Sequence, residues 1–167
     1  MTLLPRLALS VRQPWAWAII HAGKDIENRS WQAVNHGLKQ RGRIAIHAAK
    51  GMTRDEYEGA AEYMRRIGVK CPHPADLVRG CIIGSVEVVD VVKDSDSPWF
   101  MGPRGLVLRA PEPCEPVMSI GNLGYFNWKE SEAMEAIEPA KWMRDWGGAC
   151  SEPERVRTSL PLFGEEA

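Results

Sequence analysis

Apolar and polar positions recur along this chain with two different periods, and the period changes mark out the elements. Trp15, Ala18, Ile19 and Ala22 fall at three- and four-residue spacing, the stripe of a short helix over 14–22 that lies on a core. Pro14 suits its first position and Gly23 the left-handed position just past its end. Beyond it, Glu27 and Arg29 share parity in an extended segment and point away from Ile26. Arg43 to Ala48 alternates as a half-buried strand. Thr53 and Glu56 form a capping-box pattern that opens a helix carrying Tyr57, Ala60, Ala61, Met64 and Ile67 on one face, and Gly68 ends it. Pro72, Pro74 and Gly80 bracket a short turn or helix. Cys81 to Val92 is apolar at both parities, which predicts a strand covered on both faces.

The last third of the chain predicts a strand over Gly105 to Arg109 and a proline-rich connection from Ala110 to Pro116. A final pair of short strands, Val117 to Ile120 and Tyr125 to Trp128, turns through Gly121 to Gly124. Lys129 to Ile137 reads as an amphipathic helix, and Pro139 opens a further piece that brings Trp142 and Trp146 together over the sheet. Short strands with two or three helices make an α+β fold.

Composition narrows the class without changing that picture. The 167 residues are 44% hydrophobic and 26% charged, an ordinary globule expected to form one domain over 1–146. A weakly ordered tail, rich in Ser, Glu, Pro and Arg, is expected over 147–167. No apolar run reaches the roughly 20 residues that span a bilayer, so a cytoplasmic protein without a membrane partner is expected. Cys71, Cys81, Cys114 and Cys150 form no C-x-x-C pair, which favours free thiols. Cys71, His73 and Cys81 are too sparse for a zinc site; no metal and no cofactor are expected. Net charge is −1, yet no acidic residue occurs from Ser30 to Arg54, where Lys39, Arg41, Arg43, Lys50 and Arg54 all stand. Such a basic segment on a near-neutral chain suits a phosphate-bearing partner.

Candidate chemistry concentrates where Lys24, Glu27 and Arg29 converge beside one helix end. Local physics alone offers a plain role: Lys24 offsets the negative end of the helix dipole, and Glu27 pairs with Arg29 on a wet surface. The segment from Gly23 to Arg29 also resembles the G-x-K-x-x-E-x-R signature of the ASCH (activating signal cointegrator homology) family, with Gly23, Lys24, Glu27 and Arg29 at its positions. The resemblance continues through Gly42 to Ala49, Gly80 to Asp90 and Ser97 to Pro103. Gly121-Asn122-Leu123-Gly124-Tyr125-Phe126-Asn127-Trp128 is similar to a segment common in bacterial and phage members. It implies a small, mostly antiparallel PUA-like β-barrel with helices packed around it, and a cleft that takes RNA or a modified nucleoside.

In that binding role Lys24 and Arg29 meet phosphate or a base carbonyl, Trp31 and Trp99 offer stacking surfaces, and Lys39, Arg41 and Arg43 extend a phosphate track. An alternative the resemblance implies is hydrolysis of N4-acylated cytidine by a lysine, a threonine and a glutamate. Lys24 and Glu87 match two of these, and Glu27 stands in place of the threonine, leaving water activation by Glu27 or Glu87. Glu87 sits among apolar neighbours in its strand, where desolvation raises a carboxylate's pKa unless a cation such as Lys24 or Arg29 compensates. The family name also implies a third possibility, a protein-interaction adaptor. Finally, Ser159-Leu160-Pro161-Leu162-Phe163 resembles the hydrophobic end of peptides that dock on the bacterial sliding clamp, without their leading glutamine.

Overall fold

A computed structural model describes residues 3–31 and 37–148 of the chain. In chain order the elements are β1 (Leu7–Val11), α1 (Trp15–His21), β2 (Ile26–Arg29), β3 (Gly42–Ala48), α2 (Arg54–Arg66), a 3₁₀ turn (Pro74–Asp76), β4 (Cys81–Val92), β5 (Arg104–Met118), β6 (Tyr125–Asn127) and α3 (Lys141–Arg144). The strands form one mixed sheet in the order β2-β5-β4-β3-β1-β6, curled into a half-barrel. The β1–β3 pair is parallel, with Leu9 opposite Ile46, and the other four pairings are antiparallel. No described helix is long and apolar enough to cross a membrane.

The period-2 pattern of β1 and β3 divides their side chains between two cores. Leu9, Val11, Ile44 and Ile46 join Ile19 and Ile20 of α1, while Ala8, Ala45 and Ile82 face Phe126 and Trp128 on the other side. β3 is therefore buried on both faces from Ile44 to Ala48 rather than half-buried. A further core joins Tyr57 and Met64 of α2 to Ile26, Trp99 and Met143. At the start of α2 the Thr53 hydroxyl accepts from the Glu56 N–H at 3.2 Å, and the Glu56 carboxylate accepts from the Thr53 N–H at 2.8 Å, so both halves of the capping box form.

Four expectations about the last third need correction. The segment from Ala110 to Pro116 is not a connection but the middle of β5. β2 pairs with β5 only as far as Val107, so the far edge of β5 beyond that point has no described ladder for prolines to break. Three register shifts along β4–β5, with Ala110 at φ +50, absorb the irregularity. Tyr125 to Asn127 does not fold back on 117–120 as a hairpin but pairs antiparallel with β1. Nor does Lys129 to Ile137 form a helix. A nine-residue segment is too short to hold a helix unaided, and here the Ser131 N–H bonds the Met118 carbonyl at the end of β5. Trp142 and Trp146 do come together, yet on the Tyr57 ring of α2, at 6.1 and 5.1 Å between centroids, rather than over the sheet. The segment resembling a clamp-docking peptide, and the expected tail apart from Gly147 and Gly148, lie outside the described residues.

Candidate functional site

Gly23 leaves α1 with φ +71, a left-handed conformation that costs glycine little, and the Lys24 N–H returns to the Ala18 carbonyl at 3.1 Å. The turn leads the chain into β2, where alternation sends Ile26 into the core and Glu27 and Arg29 to one side. The Lys24 ammonium lies 5.8 Å from the centroid of the Trp15 ring and donates to the Ile26 carbonyl and, at 3.1 Å, to Glu27 Oε2. Glu27 Oε1 lies 3.3 Å from Arg29 Nη2. The carboxylate is thus held between two cations, and only 3% of Lys24 and 8% of Glu27 are exposed. The wet surface pair of the local reading is a buried ionic row, in which each charge compensates its neighbour's desolvation.

Arg29 carries the row outward. Its Nη2 donates to the Ser10 carbonyl of β1 at 2.9 Å, and its guanidinium carbon lies 5.3 Å from the centroid of the Trp31 ring. Trp31 meets Tyr125 of β6 at 5.6 Å between centroids, with the rings tilted by 55°. β2 and β6 are the two edges of the sheet, so side chains close the gap that backbone ladders leave open. Gly37, at φ +88, rests on both rings: a Cβ there would stand 2.5 Å from Tyr125 Cδ2 and 3.3 Å from Trp31 Cζ3. Among the described residues, Arg29 Nε and Tyr125 Oη are buried without a hydrogen-bond partner. Burial, with Glu27 nearby, pushes the Tyr125 hydroxyl up to about 12 against the opposing pull of Arg29 and Arg41, so it stays a neutral phenol near pH 7.

Behind this gap Ser10 joins a buried histidine. His47 Nε2 lies 2.8 Å from the Ser119 carbonyl, which can only accept, so Nε2 carries the proton and Nδ1 accepts from Ser10 Oγ at 3.0 Å. Desolvation holds the His47 pKa below its ordinary value, the Ser119 contact opposing it.

The remaining residues named from the sequence fall in different places. Lys39 is exposed; Arg41 donates to the carbonyls of Leu38 and Gln40 and lies 3.6 Å from Asp90. Arg43 is turned inward along the sheet, donating to Ser85 Oγ at 2.9 Å and to the Ala110 carbonyl at 2.7 Å. Trp99 is 4% exposed and meets Trp15 edge-on at 6.4 Å, so its ring belongs to the core and offers no face to a base. Glu87 is not compensated by Lys24 or Arg29. Arg109, opposite it on β5, donates to both its oxygens at 3.0 Å and holds its pKa below, not above, the usual carboxylate value, against the opposing effect of burial. The register explains the separation: Glu27 stands opposite Leu106, and Leu106 opposite Val91, which is about 13 Å along β4 from Glu87. Lys24 and Glu27 come together; the third member of the hydrolytic set does not join them. Tyr125, Ser10 and His47 were missed as site residues, and the pointer to the first lay in the Gly121–Trp128 segment, read as a strand, a turn and a family resemblance but given no role in the site.

A separate cleft of about 490 Å³ opens beside α1, lined by Gln13, Trp17, His21, Asp76, Cys114 and Glu115 among others. Gln13 is committed there, donating to the Val78 carbonyl and accepting from the Trp17 N–H.

Compared with known proteins, residues 9–143 match the family model of the ASCH domain. Over 119 residues, 62% of the chain, the sequence is 30% identical to activating signal cointegrator 1 of Homo sapiens, covering 20% of that protein. Over 82 residues, 49% of the chain, it is 32% identical to activating signal cointegrator 1 of Mus musculus, covering 14% of it. The chain therefore spans a fifth or less of the length of these relatives.

Proposed function

The chain belongs to the ASCH domain family, which is associated with RNA binding, and from that premise we propose that it binds single-stranded RNA, or a modified nucleoside within it, at the gap between β2 and β6. Trp31 stacks on an unpaired base, Arg29 stiffens the ring from beside it, and Lys39 and Arg41 receive the adjoining phosphates. The observation that carries this reading is Trp31 itself. Its ring is part-exposed, braced by a guanidinium at 5.3 Å and by Tyr125 at 5.6 Å, and it stands at the start of the basic segment. A fixed aromatic face beside cations is what unpaired nucleic acid requires. Lys24, buried beneath, orients Glu27 and through it Arg29, rather than touching the ligand.

Fluorescence anisotropy with a labelled ten-nucleotide single-stranded RNA tests it. Loss of one stacked base is worth about 1–3 kcal/mol, so Trp31→Ala is expected to weaken binding by about 5- to 150-fold. Arg41→Glu is expected to weaken it and to flatten its dependence on salt. Unchanged affinity in both variants, each folded by circular dichroism, overturns the reading.

A further inference from the structure

We propose that Arg29 Nε and Tyr125 Oη together receive a nucleobase carbonyl oxygen, so that the gap between the sheet edges selects keto bases over adenine. This rests on the RNA-binding reading above and adds to it the class of base taken. Buried polar atoms in folded proteins are almost always hydrogen-bonded, and an exception calls for a partner. Here the two exceptions named among the described residues belong to one cluster, on side chains supplied by opposite edges of the sheet. Both side chains lie against Trp31, the Arg29 guanidinium carbon at 5.3 Å from its ring centroid and the Tyr125 ring at 5.6 Å between centroids.

The chemistry of the two atoms defines what fits. Arg29 Nε–H can only donate, and the Tyr125 phenol is a donor as well as an acceptor, so the shared complement is one oxygen with two lone pairs. Base carbonyls and phosphate oxygens both offer that. The surroundings favour the carbonyl, because Arg29 is already engaged by Glu27 at 3.3 Å and both atoms are shielded from solvent. A group entering there sheds its water, which is far more costly for a phosphate anion than for a neutral carbonyl. Trp31 beside the pair supplies the planar face that a base, and not a phosphate, can use. Adenine has no exocyclic oxygen to place between the two donors.

Binding of labelled oligo(U) and oligo(A), ten nucleotides each, at one salt concentration separates the possibilities, because the two carry the same phosphates. Oligo(U) is expected to bind about 5- to 150-fold more tightly, the discrimination of a two-bond base contact. Tyr125→Phe is expected to bring oligo(U) most of the way towards the level of oligo(A), leave oligo(A) unchanged, and not lower the thermal unfolding midpoint, since the hydroxyl lacks a partner among the described residues. Equal binding of the two oligomers by the wild-type chain, or an equal loss for both in Tyr125→Phe, assigns the pair to phosphate or to no ligand and overturns the proposal while RNA binding stands. A lowered midpoint in Tyr125→Phe shows the hydroxyl bonded within the free protein and overturns it too. Failure of the wild-type chain to bind either oligomer overturns the RNA reading first, and this inference with it.

Discussion

Lys24 shows how far burial changes the meaning of an ion pair. On a wet surface the pair with Glu27 would be worth little, but here removing the cation leaves a carboxylate that is 8% exposed with Arg29 as its remaining charged partner. Lys24→Met is therefore expected to destabilise the fold by about 3 kcal/mol in urea unfolding, whereas Arg109→Ala, which breaks the solvent-exposed pair with Glu87, is expected to have a much smaller effect. His47 makes a second residue-scale prediction. Its folded pKa lies below its ordinary value of 6.5, so below that pH the unfolded chain binds more protons than the folded one. Stability is full above about pH 6.5 and falls as the pH drops from there through the depressed folded value; thermal unfolding between pH 8 and pH 5 reads this directly, with His47→Gln as the variant expected to lose that part of the slope. At this scale the sequence revealed that Glu27 and Arg29 point the same way, because parity in an extended strand is local. It could not reveal that Arg109 would stand opposite Glu87, since register across β4 and β5 depends on where bulges fall.

Among the elements, those with complete local signals were legible. The capping box of Thr53 and Glu56, the apolar face from Tyr57 to Met64 and the glycine at position 68, at φ +81, all agree on α2, and its first residue follows from them. Thr53→Ala removes the acceptor for the Glu56 N–H and is expected to cost about 1 kcal/mol, measured by chemical denaturation. Cys81 to Val92 was equally legible as a strand because it is apolar at both parities, and β4 lies inside the sheet between β3 and β5. The first part of β5, Gly105 to Arg109, was legible too, but its continuation was not, because Pro111, Pro113 and Pro116 carry a strong local signal against strand that an unpaired edge cancels. β6 was found as a strand, but its partner was misassigned: Tyr125 pairs with Leu9 from more than a hundred residues earlier, a choice made by the sheet as a whole.

Over the whole molecule, the site arises from an incomplete closure. The sheet curls until Trp31, just past β2, reaches Tyr125 on β6, and the gap between the edges is bordered by an ionic row on one side and aromatic rings on the other. Ligands commonly enter at such mouths, and here the basic segment leads up to it on a chain of net charge −1. Sequence reading located one wall of this gap, through the Gly23–Arg29 segment and Trp31, because those residues are contiguous. That Tyr125 stands on the opposite edge becomes visible only once the sheet has folded.

The measurement that tests the account most directly is a nuclear magnetic resonance titration of the ¹⁵N-labelled chain with single-stranded RNA, following the indole N–H signals of its seven tryptophans and the backbone amides. The account predicts that the Trp31 indole and the amides of Arg29, Lys39, Arg41 and Tyr125 shift together with one affinity, while the Trp99 indole in the core stays still. Shifts centred instead on Trp17, His21 and Cys114, around the cleft beside α1, would contradict it.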